Sequence, residues 1–295
     1  MSDQWDVSKA IGFKLEPYEV KVTNKDMILY ALGIGFQKDS LNKDHYNYTY
    51  ENAANFGAFP TMNVVLAHRG SFETLSIPGV PAFNPMLLLH GEEHLQLFSP
   101  LEQDSTVVCQ EEVLDVQDKK KAFVLVMQTT ITNKDTGELV AKIQTQLFVR
   151  SPGGFGHKGT FRIGIPEPPK GVSPHTTSTV ATDKNQAFLY RLNGDMNPLH
   201  VDPQMSEIAG FKVPILHGLC FFGITAKAVS EKYHKEDPNL MKKFSGRFTG
   251  HVFPGETLIV DTWKQGSQIV VQTRTQERGK VVLKGFCELS PQAKL

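Results

Sequence analysis

Residues 190–203 read "YRLNGDMNPLHVDP" and place Asp195 and His200 five residues apart. A carboxylate and an imidazole are side chains suited to moving protons near neutral pH. On a regular helix this spacing would splay them. Asn193-Gly194, however, is a helix stop, and Pro198 disfavours helical geometry at Asn197. Asp202-Pro203 reads as the cap and first position of a following helix. Residues 193–201 are therefore expected to form a constrained loop that turns Asp195 and His200 toward one point. The plainer reading has Asp195 capping a helix end and His200 half-buried.

A third component stands nearby. "LHG" at 216–218 opens an apolar segment with Leu219, Phe222, Ala226, Val229 and Tyr233 on one stripe, so a helix burying one face is expected. A helix N-terminus offers free N–H groups and partial positive charge. Gly218 would let a ligand oxygen approach closely. An Asp, a neutral His and an oxyanion site together suit addition of water to a conjugated thioester. Water attacks C3, charge gathers on the thioester oxygen, and C2 receives a proton. Which of Asp195 and His200 acts first stays open.

The elements that would carry these groups occur twice. "TNKDMILYALGIG" from Thr23 and "TDKNQAFLYRLNGD" from Thr182 both start as capped helices. Each precedes a second helical stretch, "PTMNVVLAHRGSFETL" from Pro60 and "LHGLCFFGITAKAVSEKY" from Leu216. Strands follow at 107–116, 122–132 and 139–149, and again at 257–264, 267–274 and 280–289. Each half thus reads as a short helix, a longer helix and an antiparallel meander, with the longer helix covering one face of the sheet. A Gly/Pro-rich linker is expected between them. The division is residues 1–150, linker 151–178 and 179–295. Counted from Tyr30, the positions matching Asp195 and His200 are roughly Gly35 and Ser40. The scaffold alone does not demand the pair, which weakens the plainer reading.

Composition narrows the classes. The chain has 295 residues, 40% of them hydrophobic, with 31 Lys+Arg against 31 Asp+Glu. Zero net charge gives no support for general nucleic-acid binding. No apolar run approaches the ~18–20 residues of a membrane span, and "MSDQWDVSKA" lacks a secretory core. Three scattered cysteines form neither a disulfide framework nor a zinc spacing. Ala293-Lys294-Leu295 is close to the S-K-L peroxisomal address. Three motifs are set aside. "HGEEH" (90–94) has the spacing of an inverted zinc site but alternates as a strand, so no metal is expected. "GFGHKG" (154–159) lacks the helix that a dinucleotide loop requires. Cys220 sits on a packing stripe rather than as a nucleophile.

The opening stretch, with "GFKVPILHGLCFFGITAKAV" and "FPGETL", resembles the R-specific 2-enoyl-CoA hydratase (hydratase 2) family, the MaoC-like proteins. "YENAANFGAFPT", "LLLHGEEHLQLFSPL" and "GGFGHKG" extend the resemblance over nearly the whole chain. It implies an α+β double hot-dog fold in which only the second repeat is catalytic and the first holds the acyl chain. It implies hydration of trans-2-enoyl-CoA to (3R)-3-hydroxyacyl-CoA in peroxisomal fatty acid β-oxidation. Asp195 and His200 would activate water, Asn197 would orient them, and the Gly218 N–H would bind the thioester oxygen. Glu51 would support the site, while His90, Gly91, Lys119 and Arg247 would touch CoA. No cofactor is expected, since the CoA thioester is the substrate. A homodimer and a peroxisomal import receptor reading Ala293-Lys294-Leu295 are the expected partners. An acyl-CoA thioesterase and a non-catalytic acyl-CoA binding protein remain alternatives. Family relatives include fusions to a dehydrogenase and a lipid carrier, and whether a separate dehydrogenase associates here is left open.

Overall fold

A computed structural model describes residues 5–68, 76–84, 87–234 and 240–290. Ala293, Lys294 and Leu295 lie outside them, as does part of the helix expected from Pro60. The Val-, Ile- and Thr-rich runs pair as strands. They are β1 (Tyr18–Val22), β2 (Leu88–Leu97), β3 (Ser105–Asp118), β4 (Phe123–Asn133) and β5 (Leu139–Val149). The second half supplies β6 (Thr176–Ala181), β7 (Met241–Phe248), β8 (Thr257–Gln265), β9 (Gln268–Thr275) and β10 (Val281–Leu289). All ten join one antiparallel sheet in the order β1-β3-β4-β5-β2-β7-β10-β9-β8-β6. Numbered within each half, the strands come in the same order from either end. β2 and β7 meet at the centre, with Glu92 opposite Arg247 and Gln96 opposite Lys243. Both expected meanders, β3-β4-β5 and β8-β9-β10, are present. β6 starts at Thr176, inside the stretch expected to be linker, and residues 150–175 carry no helix or strand.

Seven helices are described: α1 (Val7–Ala10), α2 (Asn24–Gly33), α3 (Tyr46–Thr49), α4 (Met62–Leu66), α5 (Gln186–Tyr190), α6 (Pro203–Ile208) and α7 (Gly218–Tyr233). Thr23 and Asp26 close a reciprocal capping box on α2, as the polar start of that segment leads one to expect. Two expectations need correction. The long helix expected from Pro60 is only α4, five residues ending at Leu66. The Leu66 carbonyl is taken from outside, by the Tyr18 hydroxyl (3.0 Å) and the Cys109 thiol (3.6 Å). α7, expected to bury one stripe, is buried on every side from Leu219 to Ser230. It packs on β6, β7, β8 and β10, while α4 and the end of α2 cover its outer side. One apolar core runs from Val22 in the first half to Leu289 in the second. Each fully buried Phe or Leu in it contributes roughly 1.5–3 kcal/mol. The arrangement is an α+β double hot-dog, two helix-on-sheet repeats sharing one sheet.

Candidate active site

The loop at 193–201 takes the shape its punctuation predicts. α5 ends at Tyr190, a 3₁₀ turn covers Arg191–Asn193, and Gly194 adopts φ +128°, open to glycine. The Asn197 side chain accepts the Leu199 N–H (3.0 Å) and caps a second 3₁₀ turn, Pro198–His200. The Asn197 N–H donates to Asp195 Oδ1 (3.2 Å). Asn197 thereby ties Asp195 to the 3₁₀ turn that ends at His200. Asp202 caps α6 by accepting the Gln204 and Met205 N–H groups. Asp195 and His200 do converge. One ligand atom from each, and one from His217, lie within 4.8 Å of one another.

Hydrogen bonds to carbonyls, which can only accept, set the tautomers. His200 Nδ1 lies 2.8 Å from the Ile215 carbonyl, so Nδ1 carries the hydrogen and Nε2 holds a lone pair. His217 Nε2 lies 3.2 Å from the Asp195 carbonyl, so its lone pair is on Nδ1. That atom is buried without a hydrogen-bond partner. Burial lowers the proton affinity of His200 against the pull of Asp195, and pushes His217 down to about 3. The two rings stack 3.8 Å apart at 28°. Asp195 is the opposite case. Burial would raise it, but the hydrogen bond and charge of His68 hold it far below the ordinary carboxylate range. At neutral pH the site therefore contains an ionised carboxylate and two neutral imidazoles. Among the described residues these three are the group able to hold a metal.

Gly218 opens α7, and its N–H is among those with no acceptor inside the helix. A Cβ there would touch the Phe248 ring at 3.4 Å. Phe248 meets the His90 ring edge-on at 4.9 Å. A continuous wall thus links the helix start to the residues expected at CoA. At Gly91 the β2–β5 register slips, a β-bulge; a Cβ would stand 3.0 Å from the Gln146 carbonyl. The extra residue breaks the alternation. His90 pairs with Glu93 (2.9 Å), and His94 pairs with Glu92 (3.0 Å). Each imidazole is occupied by a different carboxylate, which leaves no shared zinc centre. Arg247, opposite Glu92, binds it through Nε at 2.6 Å. His90, Gly91 and Arg247 therefore adjoin. Lys119 does not adjoin them. It is exposed on the β3–β4 turn, with β4 and β5 between it and β2, and donates to Gln117 (3.2 Å). Glu51 is exposed after α3, and no described hydrogen bond or ion pair joins it to Asp195 or His200.

Two residues of the site escaped the sequence reading. His217 sits beside Gly218 in "LHG", but only the glycine was expected to act. His68 lies 3.5 Å from Asp195 Oδ2 and comes from the other half of the chain. Cys220 is fully buried, donates to the Gly33 carbonyl (3.5 Å), and has its thiol pushed well up by burial, so it is no nucleophile. The "GFGHKG" segment is a strap. Asp118 accepts the Gly154 and Gly156 N–H groups, and Asp115 accepts those of Thr160 and Phe161.

Comparison with known proteins bears on the family and the fold. The family model described as the MFE-2 hydratase 2 N-terminal domain matches residues 20–151. The MaoC like domain matches residues 166–285. The chain is 38% identical over 283 residues to the probable enoyl-CoA hydratase 2 of Dictyostelium discoideum, covering 94% of each. It is 36% identical over 290 residues to the peroxisomal multifunctional enzyme type 2 of Mus musculus, covering 96% of this chain but 38% of that protein. It thus spans most of the first relative and well under half of the second. The crystal structure of a MaoC-like dehydratase from Phytophthora capsici superposes with a TM-score of 0.87 at 30% identity, covering 98% of this chain and 99% of that one.

Proposed function

This chain belongs to the MaoC-like enoyl-CoA hydratase 2 family, and from that premise we propose that it hydrates trans-2-enoyl-CoA to (3R)-3-hydroxyacyl-CoA. The observation that carries the reading is the meeting of the Asp195 carboxylate and the free Nε2 of His200 beside the start of α7. Both groups are proton acceptors at neutral pH. Neither enters the reaction with a proton to give, so the hydrogen that reaches C2 is one taken from water. In this scheme Asp195 and His200 grip one water between them. Its oxygen bonds to C3, its released proton passes to C2, and the C2–C3 double bond becomes single. The Gly218 N–H stabilises negative charge on the thioester oxygen, an effect worth ~10²–10³-fold where single donors have been removed from such sites.

His90, Gly91 and Arg247 are proposed to hold CoA, with Lys119 reaching only a distal phosphate. Glu51 is proposed to support the site indirectly. A cavity of about 560 Å³ lies toward the far end of β2, lined by Phe56, Ala58, Leu97, Phe98, Leu101 and Met241 among others. We assign the acyl chain to it, which gives the first repeat the binding role and the second the chemistry. The names of relatives support a peroxisomal setting, to be checked by locating an amino-terminally tagged chain in cells, and fatty acid β-oxidation is the pathway proposed there. Homodimer formation and capture by an import receptor are proposed with it.

The test is direct. Enoyl-CoA should lose its conjugated absorbance on mixing with the protein, and the product should have the R configuration. An S product, or none, overturns the reading. Release of free CoA thiol would identify a thioesterase instead, and saturable binding without turnover would identify a carrier.

A further inference from the structure

His68 belongs to the first repeat, two residues past α4, yet it reaches the catalytic loop of the second, with Nε2 3.5 Å from Asp195 Oδ2. We infer that His68 is a positioning residue of the hydratase site, carrying the positive charge that holds the Asp195 carboxylate ionised and oriented. The inference deepens the functional reading above and rests on it for the role of Asp195.

Three imidazoles surround Asp195, and geometry decides which is the cation. His200 and His217 stack on each other, and each has one nitrogen committed to a backbone carbonyl. Two stacked cations 3.8 Å apart would repel strongly. His68 alone sets a ring nitrogen against a carboxylate oxygen of Asp195. The two side chains are only 14% and 15% exposed, so an unpartnered carboxylate there would be driven to take up a proton. His68 is also well anchored. Its N–H bonds to the Val65 carbonyl (3.1 Å), and the adjoining Leu66 carbonyl is tied to Tyr18 of β1 and Cys109 of β3. The charged groups facing it are Asp195 from the loop, Glu93 from β2 and Glu111 from β3. All three favour its protonated form. Burial opposes it, and the sum leaves His68 raised above its ordinary value. The cation in turn lowers the proton affinity of His200 and His217. One charge on the first repeat thus holds Asp195 ionised and adds to the burial that keeps His200 deprotonated.

The test is a pH profile joined to a titration. In the wild type, kcat/KM should rise below pH ~6.5 as His200 loses its proton and fall above it as His68 does. His68→Gln should abolish the alkaline fall and move the acid limb to higher pH, because His200 is relieved of a neighbouring cation. Turnover should drop by less than the ~10²-fold expected for losing a proton-transfer group itself, with KM little changed. His68→Lys should restore the cation and carry the alkaline limb above pH ~9. Independently of activity, NMR titration of the wild-type imidazoles should place His68 above 6.5, and Asp195→Asn should bring it below. A wild-type His68 at or below 6.5 overturns the inference, as does a His68→Gln profile that superimposes on the wild type. If His68 titrates high but no enoyl-CoA is hydrated, the ion pair stands and the proposed reaction falls.

Discussion

In the proposed reaction Asp195 and His200 work as a pair of acceptors only while both stay unprotonated, and single substitutions should expose this. Asp195→Asn or His200→Gln is expected to lower turnover ~10²-fold or more with the melting temperature nearly unchanged, as for loss of a general acid–base group; steady-state rates and thermal melts check it. The same imidazoles link stability to pH. His200 and His217 are depressed below their unfolded value, so their contribution is full above pH ~6.5 and is lost as pH falls. For His217 the loss continues down to about 3. His68 runs the other way, contributing fully below pH ~6.5 and losing its contribution as pH rises through its elevated value. Two depressed groups against one raised group predict net acid destabilisation, which His217→Asn should lessen in melts between pH 7 and 5. The turn that brings Asp195 toward His200, and the helix start at Gly218, were legible because turn chemistry and helix punctuation are local. His217 was not, because its part depends on a stack with His200 that only the folded chain creates. His68 was not, because nothing in "VVLAH" signals a carboxylate from the other half.

At the scale of elements, short contacts decide the geometry. A Cβ on Gly223 would lie 2.7 Å from Ile34 Cγ2 and 2.8 Å from the Tyr30 hydroxyl, where α7 crosses α2. Gly223→Ala should therefore cost ~1–3 kcal/mol through overpacking, read as a lower denaturation midpoint. The strap at 150–175 depends on Asp115. Asp115→Ala would leave the Thr160 and Phe161 N–H groups without their acceptor, at ~0.5–1.5 kcal/mol each since neither residue is buried. Limited proteolysis should then cut within 150–175 well before the wild type. The meanders were legible because alternating Val, Ile and Thr announce half-buried strands. β7 was hidden, since "MKKFSGRF" has three charges and a glycine and becomes a strand by lying between β2 and β10. The bulge at Gly91 was equally silent, and it is what separates His90 from His94. The length of α4 was misjudged because apolar spacing continued beyond the point where bonds from β1 and β3 take over.

Across the whole molecule, the proposed function puts the chemistry and acyl recognition at different places along the central strand β2. β2 runs from His90 beside Phe248 to Leu97 at the cavity, seven residues of strand or ~23 Å. Filling the cavity should therefore spare short substrates. Ala58→Phe is expected to lower kcat/KM for long or branched enoyl-CoAs while leaving the four-carbon substrate unchanged; a uniform loss would move the acyl chain elsewhere. The mirrored strand order has a further consequence. In an assembly of two identical subunits, every mutation is made twice, and a pocket cannot widen on one side without damaging the reactive turn on the other. Joining the copies in a single polypeptide removes that constraint. The stretch around Gly35 and Ser40 can then drift freely, and substrate range can evolve in one half without risk to the reaction in its twin.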